Sequence, residues 1–334
     1  MNEDIFIGSI RSVSNIDRKT LPRLSYSGME VYKNCPFQFD LKYNKGKRTN
    51  ETTIALETGS LIHRVLEEKA KYIINNLPVN YDDLVFMLKF GVTETDGKTK
   101  DIILGIDDLK KKYFEEWFES DNASGMNYSE KMKVFEKVIK NEMEDTSIWR
   151  PVYAELPFEF VYKNRVIFNG FIDRVDLNKD GDFRVIDYKT SKKSYPQAKL
   201  STSLQFGVYA LAIYYLFGKL PIKFEYRFVL IDETQEAMTK GWEKRLEKNL
   251  DKLLDKIDNN KESGIFVPSP SPLCAFCNFS ATNPKAKEHK TECEYYSLWT
   301  PDEKRWDVNK RFNMFDLTSD KKADNIEQKR KLIF

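Results

Sequence analysis

Gly170-Phe-Ile-Asp173-Arg-Val-Asp176-Leu-Asn178-Lys-Asp-Gly181-Asp182-Phe-Arg-Val-Ile-Asp187-Tyr188-Lys189-Thr190 is the stretch that decides the fold. Two runs of apolar, β-branched and aromatic residues flank a turn cluster, so it reads as a β-hairpin. A three-residue loop over Lys179 to Gly181, with Gly181 left-handed because it lacks a Cβ, sets Asp173 directly opposite Asp187. A two-residue turn at Asp180-Gly181 would instead set Asp173 opposite Tyr188, so the loop length is part of the expectation. Like charges opposed across strands repel, which calls for a cation between them. Lys189, two residues past Asp187, points to the same face. Two carboxylates and an ammonium on one face, with the Tyr188 carbonyl as a further ligand, suit metal-assisted attack on a phosphate ester. A bare D-x-K is just as readily a solvated hairpin face, so the elements around it carry the argument.

Upstream of the hairpin, Val152 to Tyr162 reads as a strand. Downstream come a helix over Leu200 to Phe217, a strand near Phe224 to Ile231 and a long helix from about Met238 to Asn260. Strands interleaved with helices predict an α/β class with a central mixed sheet flanked by helices. Further upstream, Ser25 opens a helical pattern that ends at Cys35-Pro36. Thr58 is the expected N-cap of a helix with the apolar stripe Leu61, Ile62, Val65, Leu66, Ala70, Ile73 and Leu77. His63 lies at the edge of that stripe, where an imidazole is half-buried and able to reach a cleft. Residues 80–150 read as a largely helical amphipathic insertion, with segments near 81–90, 106–120 and 129–145. The expected organisation is an irregular segment over 1–24, one domain over 25–300 and a charged tail over 301–334.

The order of these motifs resembles the RecB-like branch of the PD-(D/E)xK nuclease superfamily, which includes AddB-type and CRISPR-associated iron–sulfur nucleases. Gly59-Ser-Leu-Ile-His63 is similar to its G-x-x-x-H helix, and Ala154-Glu155-Leu-Pro-Phe to its acidic position before the hairpin. Gly170-Phe-Ile-Asp173 is similar to its G-x-x-D strand, Asp187-Tyr-Lys189-Thr190 to its D-x-K-T, and Gln205-Phe-Gly-Val-Tyr209 to its Q-x-x-x-Y helix. The resemblance covers roughly residues 25–70 and 152–300. It implies a restriction-endonuclease-like core in which His63, Glu155, Asp173 and Asp187 hold Mg²⁺ or Mn²⁺ and Lys189 assists the attack of water. Gln205 and Tyr209 are expected to position DNA or the catalytic lysine; their i, i+4 spacing puts both on one helix face. Glu159 remains an alternative to Glu155, because residues four apart in a strand share a face. The implied activity is exonucleolytic cleavage of DNA ends or single strands in recombination, repair or replication, with a helicase or recombination partner.

Four cysteines in a chain of 334 residues do not form a secreted disulfide framework. In the iron–sulfur members one N-terminal and three C-terminal cysteines hold a 4Fe–4S cluster, a plan that Cys35, Cys274, Cys277 and Cys293 match. The gap between Cys277 and Cys293 is longer than usual there. Cys274, Cys277, His289 and Cys293 also make a zinc pattern, which leaves Cys35 as a buried thiol. A zinc-ribbon interaction protein and a catalytically silent DNA-binding scaffold therefore stay open at this point.

The chain carries 54 basic and 52 acidic residues, so contact with nucleic acid demands a local basic patch such as Lys189, Lys192, Lys193 and Lys199. The longest apolar run, Gly207 to Gly218, is too short to cross a bilayer. Met1-Asn-Glu-Asp is unlike a signal peptide, which makes cytoplasmic residence the expectation. No G-x-x-x-x-G-K-[ST] loop occurs, so the chain is not expected to be an ATP-driven motor. The end, Gln328-x₃-Leu-Ile-Phe334, resembles a sliding-clamp-binding peptide.

Overall fold

The structure is a computed structural model that describes residues 21–47, 52–95, 100–114, 128–141, 148–191, 193–196, 200, 203–238, 243–283, 286, 292–293, 299–300 and 305–306. Residues 1–20, Lys192, Lys199, His289 and the clamp-like peptide at 328–334 lie outside these. The chain groups into two compact units. One comprises residues 1–26 and 52–255, the other 27–51 and 256–334.

In chain order the elements are β1 (Arg23–Leu24), α1 (Tyr26–Asn34), α2 (Ile54–Ile74), α3 (Tyr81–Phe90), β2 (Gly91–Thr95), β3 (Lys100–Leu104), α4 (Ile106–Lys112) and α5 (Tyr128–Asn141). There follow β4 (Arg150–Tyr162), β5 (Val166–Leu177), β6 (Phe183–Lys189), α6 (Leu204–Phe217), β7 (Lys223–Phe228), β8 (Glu233–Met238), α7 (Glu243–Ser263), β9 (Trp299–Thr300) and β10 (Arg305–Trp306).

The hairpin of β5 and β6 forms through the three-residue loop. Gly181 has φ 74°, and Asn178 closes the turn, its Oδ1 accepting the amides of Asp180 at 2.9 Å and Asp182 at 2.8 Å. The register pairs Leu177 with Phe183 and runs to Arg174 with Ile186. One step on, Asp173 and Asp187 are level but outside the ladder, and the Asp173 carboxylate accepts the Tyr188 amide at 2.7 Å. The strands therefore fork at this point. The sheet has six strands in the order β1-β5-β6-β7-β8, with β4 along the other edge of β5. β1 pairs parallel with Ile167–Phe168 of β5, and β6 pairs with Arg174–Leu177. The two thus share one edge of β5 and, among the described residues, leave a stretch of it unpaired between them, with the fork at one end.

Helices cover both faces. α2 presents Ile62 and Leu66 to Ile186 and Tyr188 of the sheet. Its neighbouring stripe, Leu61 and Val65, packs on Leu84, Leu88, Ile106, Leu109, Met132 and Ile139 of the insertion. A helix with two buried stripes is the middle layer of a stack. On the other face α6 is buried continuously from Leu204 to Ile213. It meets α7 so closely that a Cβ on Gly207 would stand 1.8 Å from Leu246. α2 starts five residues earlier than the Thr58 cap predicted: Thr53 is the N-cap and accepts the Leu56 amide at 3.3 Å. The insertion is not purely helical either, because β2 and β3 form an antiparallel hairpin within it.

β4 changes faces partway along. Its odd residue Tyr153 stacks on Phe217 of α6 at 5.1 Å, yet its even residues Phe158 and Phe160 meet Tyr209 and Tyr215 of the same helix at 5.9 and 6.1 Å. Strict alternation forbids that. Glu155, between them, has φ 46°, and the ladder skips from Ala154–Arg174 to Leu156–Ile172. A left-handed residue without a glycine's freedom resets the alternation and turns Glu155 toward Asp173.

In the second unit Cys35 caps the helical turn Pro36–Phe39, and its sulfur accepts the amides of Gln38 and Ser269, both at 3.4 Å. Cys274 accepts the Ser271 amide at 3.4 Å, and the Cys293 amide donates to the Phe279 carbonyl at 2.9 Å. Among the described residues, no helix is long and apolar enough to cross a membrane.

Candidate active site

The fork between β5 and β6 gathers side chains from four elements. Asp173 comes from β5, Asp187 and Lys189 from β6, Glu155 from the left-handed step in β4 and His63 from α2. Ligand atoms of His63, Glu155 and Asp173 all lie within 4.8 Å of one another, and His63 Nδ1 stands 3.5 Å from Asp173 Oδ2. His63 can stand this deep because Gly59, one turn earlier on α2, lets the helix approach the strand end. A Cβ there would be 3.2 Å from Thr190 Oγ1. The ring also meets Tyr188 edge-on at 6.1 Å. Glu159, the alternative acid, is elsewhere: it pairs with Arg23 at the β1 side of the open edge.

Asp187 is outside the trio and is held from the α6 side. Its Oδ1 accepts Gln205 Nε2 at 2.5 Å and the Tyr209 hydroxyl at 3.4 Å. Its Oδ2 faces the Lys189 ammonium as an ion pair. That atom is buried and has no hydrogen bond of good geometry. Lys189 also donates to Gln205 Oε1 at 3.2 Å. Gln205 and Tyr209 are thus both buried, and their polar atoms are spent on Asp187 and Lys189. A direct DNA contact was one of the two roles anticipated for them; this geometry supports the other, positioning the acid and the lysine. Tyr226 of β7 belongs to the same group, with its hydroxyl 3.1 Å from Gln205 Oε1 and its ring 5.0 Å from Lys189 Nζ. In the sequence it is one more aromatic in an apolar strand, and nothing there marks it.

The electrostatics are those of acids short of positive charge. Burial, reinforced by Asp173, pushes the Glu155 carboxyl up to about 7. Burial pushes Asp187 up to about 6 against the pull of Lys189, with Asp173 adding to the rise. For His63, burial works against the imidazolium, but Asp173, Asp187 and Glu155 together outweigh it and raise the pKa. Lys189 is likewise raised: Asp187 overcomes the effect of burial. One imidazole and several carboxylate oxygens, one of them buried without a hydrogen bond, make a donor set suited to a divalent cation.

The four cysteines line one cavity of about 270 Å³ within the second unit. Burial raises the Cys35 thiol and pushes Cys277 up to about 11. Among the described residues no three of their sulfurs lie within 4.8 Å of one another.

The Gln328–Phe334 peptide, His289 and two of the four basic-patch lysines (Lys192 and Lys199) fall outside the described residues; Lys193 is exposed. Comparison with known proteins agrees with the fold. A family model described as the PD-(D/E)XK nuclease superfamily matches residues 23–282. Over 207 residues the chain is 31% identical to an ATP-dependent helicase/deoxyribonuclease subunit from Clostridium perfringens, covering 57% of this chain and 17% of that protein. The protein of the same name from Streptococcus uberis is 24% identical over 186 residues, covering 54% of this chain and 15% of its own length. The chain therefore spans less than a fifth of these curated relatives. With a mixed sheet flanked by helices and the D-x-K strand forked against an acidic partner, the chain belongs to the PD-(D/E)XK nuclease superfamily, in its RecB-like branch, and its core is restriction-endonuclease-like.

Proposed function

We propose that the chain is a divalent-metal-dependent deoxyribonuclease that hydrolyses phosphodiester bonds at the fork. The observation that carries this is the grouping of His63, Glu155 and Asp173 within 4.8 Å, beside a buried Asp187–Lys189 pair. His63, Glu155, Asp173 and Asp187 would hold Mg²⁺ or Mn²⁺, which supplies Lewis acidity toward the phosphate and a more acidic water. Lys189, oriented by Gln205, neutralises charge developing on the phosphate and steers the water. A deoxyribonuclease beside a helicase partner fits the names of the relatives, and we propose exonucleolytic action on DNA ends or single strands, in repair or recombination, as its specific form. Digestion of end-labelled single- and double-stranded DNA with Mg²⁺ or Mn²⁺ tests the reading. Cleavage is expected from the wild type and not from Asp173→Ala or Lys189→Ala; cleavage persisting in both variants would overturn the assignment.

For the cysteines we favour a 4Fe–4S cluster. All four cysteines line one cavity, and ligation by four thiolates suits such a cluster. Backbone amides already aimed at Cys35 and Cys274 are the hydrogen bonds that cluster thiolates accept. Such a cluster would be structural, since hydrolysis needs no electron transfer. Broad visible absorption with stoichiometric iron is expected; a colourless protein with one zinc would sink this assignment and leave the nuclease reading untouched.

A further inference from the structure

We infer that Tyr226 and Ser203 are positioning residues for Lys189, acting through the Gln205 amide; this rests on the function proposed above. Lys189 Nζ and the Tyr226 hydroxyl both lie within hydrogen-bond distance of Gln205 Oε1, at 3.2 and 3.1 Å. Gln205 Nε2 donates to Asp187 Oδ1 at 2.5 Å and to the Tyr209 hydroxyl at 3.1 Å. A flipped amide would set its oxygen against the Asp187 carboxylate and its NH₂ against the lysine, so only one orientation is allowed.

Tyr226 has a single hydroxyl proton, and Gln205 receives it. The 2.8 Å contact between the Ser203 and Tyr226 hydroxyls then has Ser203 as donor. Ser203 is free to donate because its role as N-cap of α6 uses only its acceptor side, which takes the Phe206 amide at 3.3 Å. The donors therefore run in one direction, from the cap of α6 through Tyr226 to the Gln205 carbonyl, where they converge with Lys189. That carbonyl engages one ammonium N–H of Lys189 and Asp187 holds the ammonium as an ion pair, which leaves the remaining N–H groups for the phosphate or the water. The ring of Tyr226 faces the ammonium at 5.0 Å and is itself stacked on Phe206 at 4.1 Å. A phenylalanine would keep both of these contacts and lose only the hydroxyl.

Tyr226→Phe is expected to lower kcat about tenfold, the size of one hydrogen bond lost from the transition state, with KM and melting temperature unchanged. Ser203→Ala should lower kcat similarly, and the double variant should be no worse than Tyr226→Phe alone, because both act through one chain of donors. Lys189 acetylation by acetic anhydride, followed by peptide mass spectrometry, gives a readout independent of activity: it should be several-fold faster in Tyr226→Phe. Unchanged kcat together with an unchanged acetylation rate, or additive losses in the double variant, would overturn the inference. If the wild type cleaves no DNA but Tyr226→Phe still frees Lys189 to react, the nuclease reading falls and the positioning chain stands.

Discussion

The β5–β6 hairpin carries two buried charge clusters, and they are built on opposite principles. On one, Asp176 accepts Arg174 Nε at 2.6 Å and Arg184 Nε at 3.1 Å. Glu225 accepts Arg184 at 3.0 Å, Arg227 at 2.8 and 2.9 Å and pairs with Lys223 at 3.0 Å. Two acids are surrounded by four bases. Both carboxyls are held below their ordinary range although burial opposes it, by Arg174 and Arg184 for Asp176 and by Arg227 and Arg184 for Glu225. In the fork, three acids share one lysine and a histidine, and burial lifts Glu155 and Asp187 well above that range. The first cluster satisfies itself and holds the strands in register. The second is left short of positive charge, and this shortage is what a cation and a phosphate would relieve. Burial of charge is common to both, so only the balance of partners separates scaffold from site.

The largest test of this contrast is to neutralise each cluster. Asp187→Ala should lower cleavage by at least about a thousandfold while the melting temperature holds or rises, because a poorly compensated buried charge is removed. Asp176→Ala should do the reverse. It strands two buried guanidiniums and is expected to cost about 3–5 kcal/mol in urea unfolding, with kcat per folded molecule unchanged. A cation should sharpen the difference further. Mn²⁺ at a hundredfold excess over its Kd should stabilise the wild type by about 2.7 kcal/mol, and Asp173→Ala should show no such gain.

The pH dependence separates the clusters by sign. Glu155 and Asp187 are raised in the folded chain, so the stability they contribute is present below their unfolded values and is lost as pH rises through about 6 to 7. Asp176 and Glu225 are lowered, so their contribution is present above the ordinary carboxylate range and is lost as pH falls below it. Thermal melting of EDTA-treated protein should therefore decline between pH 5 and 8, and Asp187→Asn or added Mn²⁺ should flatten the slope. The smallest effect is expected from Gly59→Ala. Its Cβ presses on Thr190 and moves His63 by a few tenths of an ångström, so cleavage falls about threefold while the helix gains up to ~1 kcal/mol. An equal or faster rate would show that His63 is not set by that contact.

Much of the site was legible because its spacing is local. The Asn178-to-Asp182 turn dictated the hairpin register, and the i, i+4 spacing of Gln205 and Tyr209 put both on the face that meets Asp187. Glu155 against Glu159 could not be settled from sequence, since parity gives both one face; the left-handed backbone at Glu155 is a tertiary feature that no residue preference announces. Tyr226 was invisible for another reason: a buried aromatic in a strand reads as core, and its hydroxyl has meaning only once Gln205 lies opposite. The β2–β3 hairpin was lost inside a polar stretch with little alternation to mark it.

The second unit is made of two pieces, residues 27–51 and 256–334, with most of the nuclease core, residues 52–255, between them in the chain. Cys35 is therefore synthesised before most of the core and must wait for Cys274, Cys277 and Cys293 until the core has been synthesised. The sheet can assemble before the cysteine unit is complete, and any metal that unit takes is loaded after the core has been synthesised. A nascent chain stalled before Cys274 would present a complete acidic fork and a cysteine site holding one thiol of four, a state in which one of the two polar centres is finished while the other is barely begun.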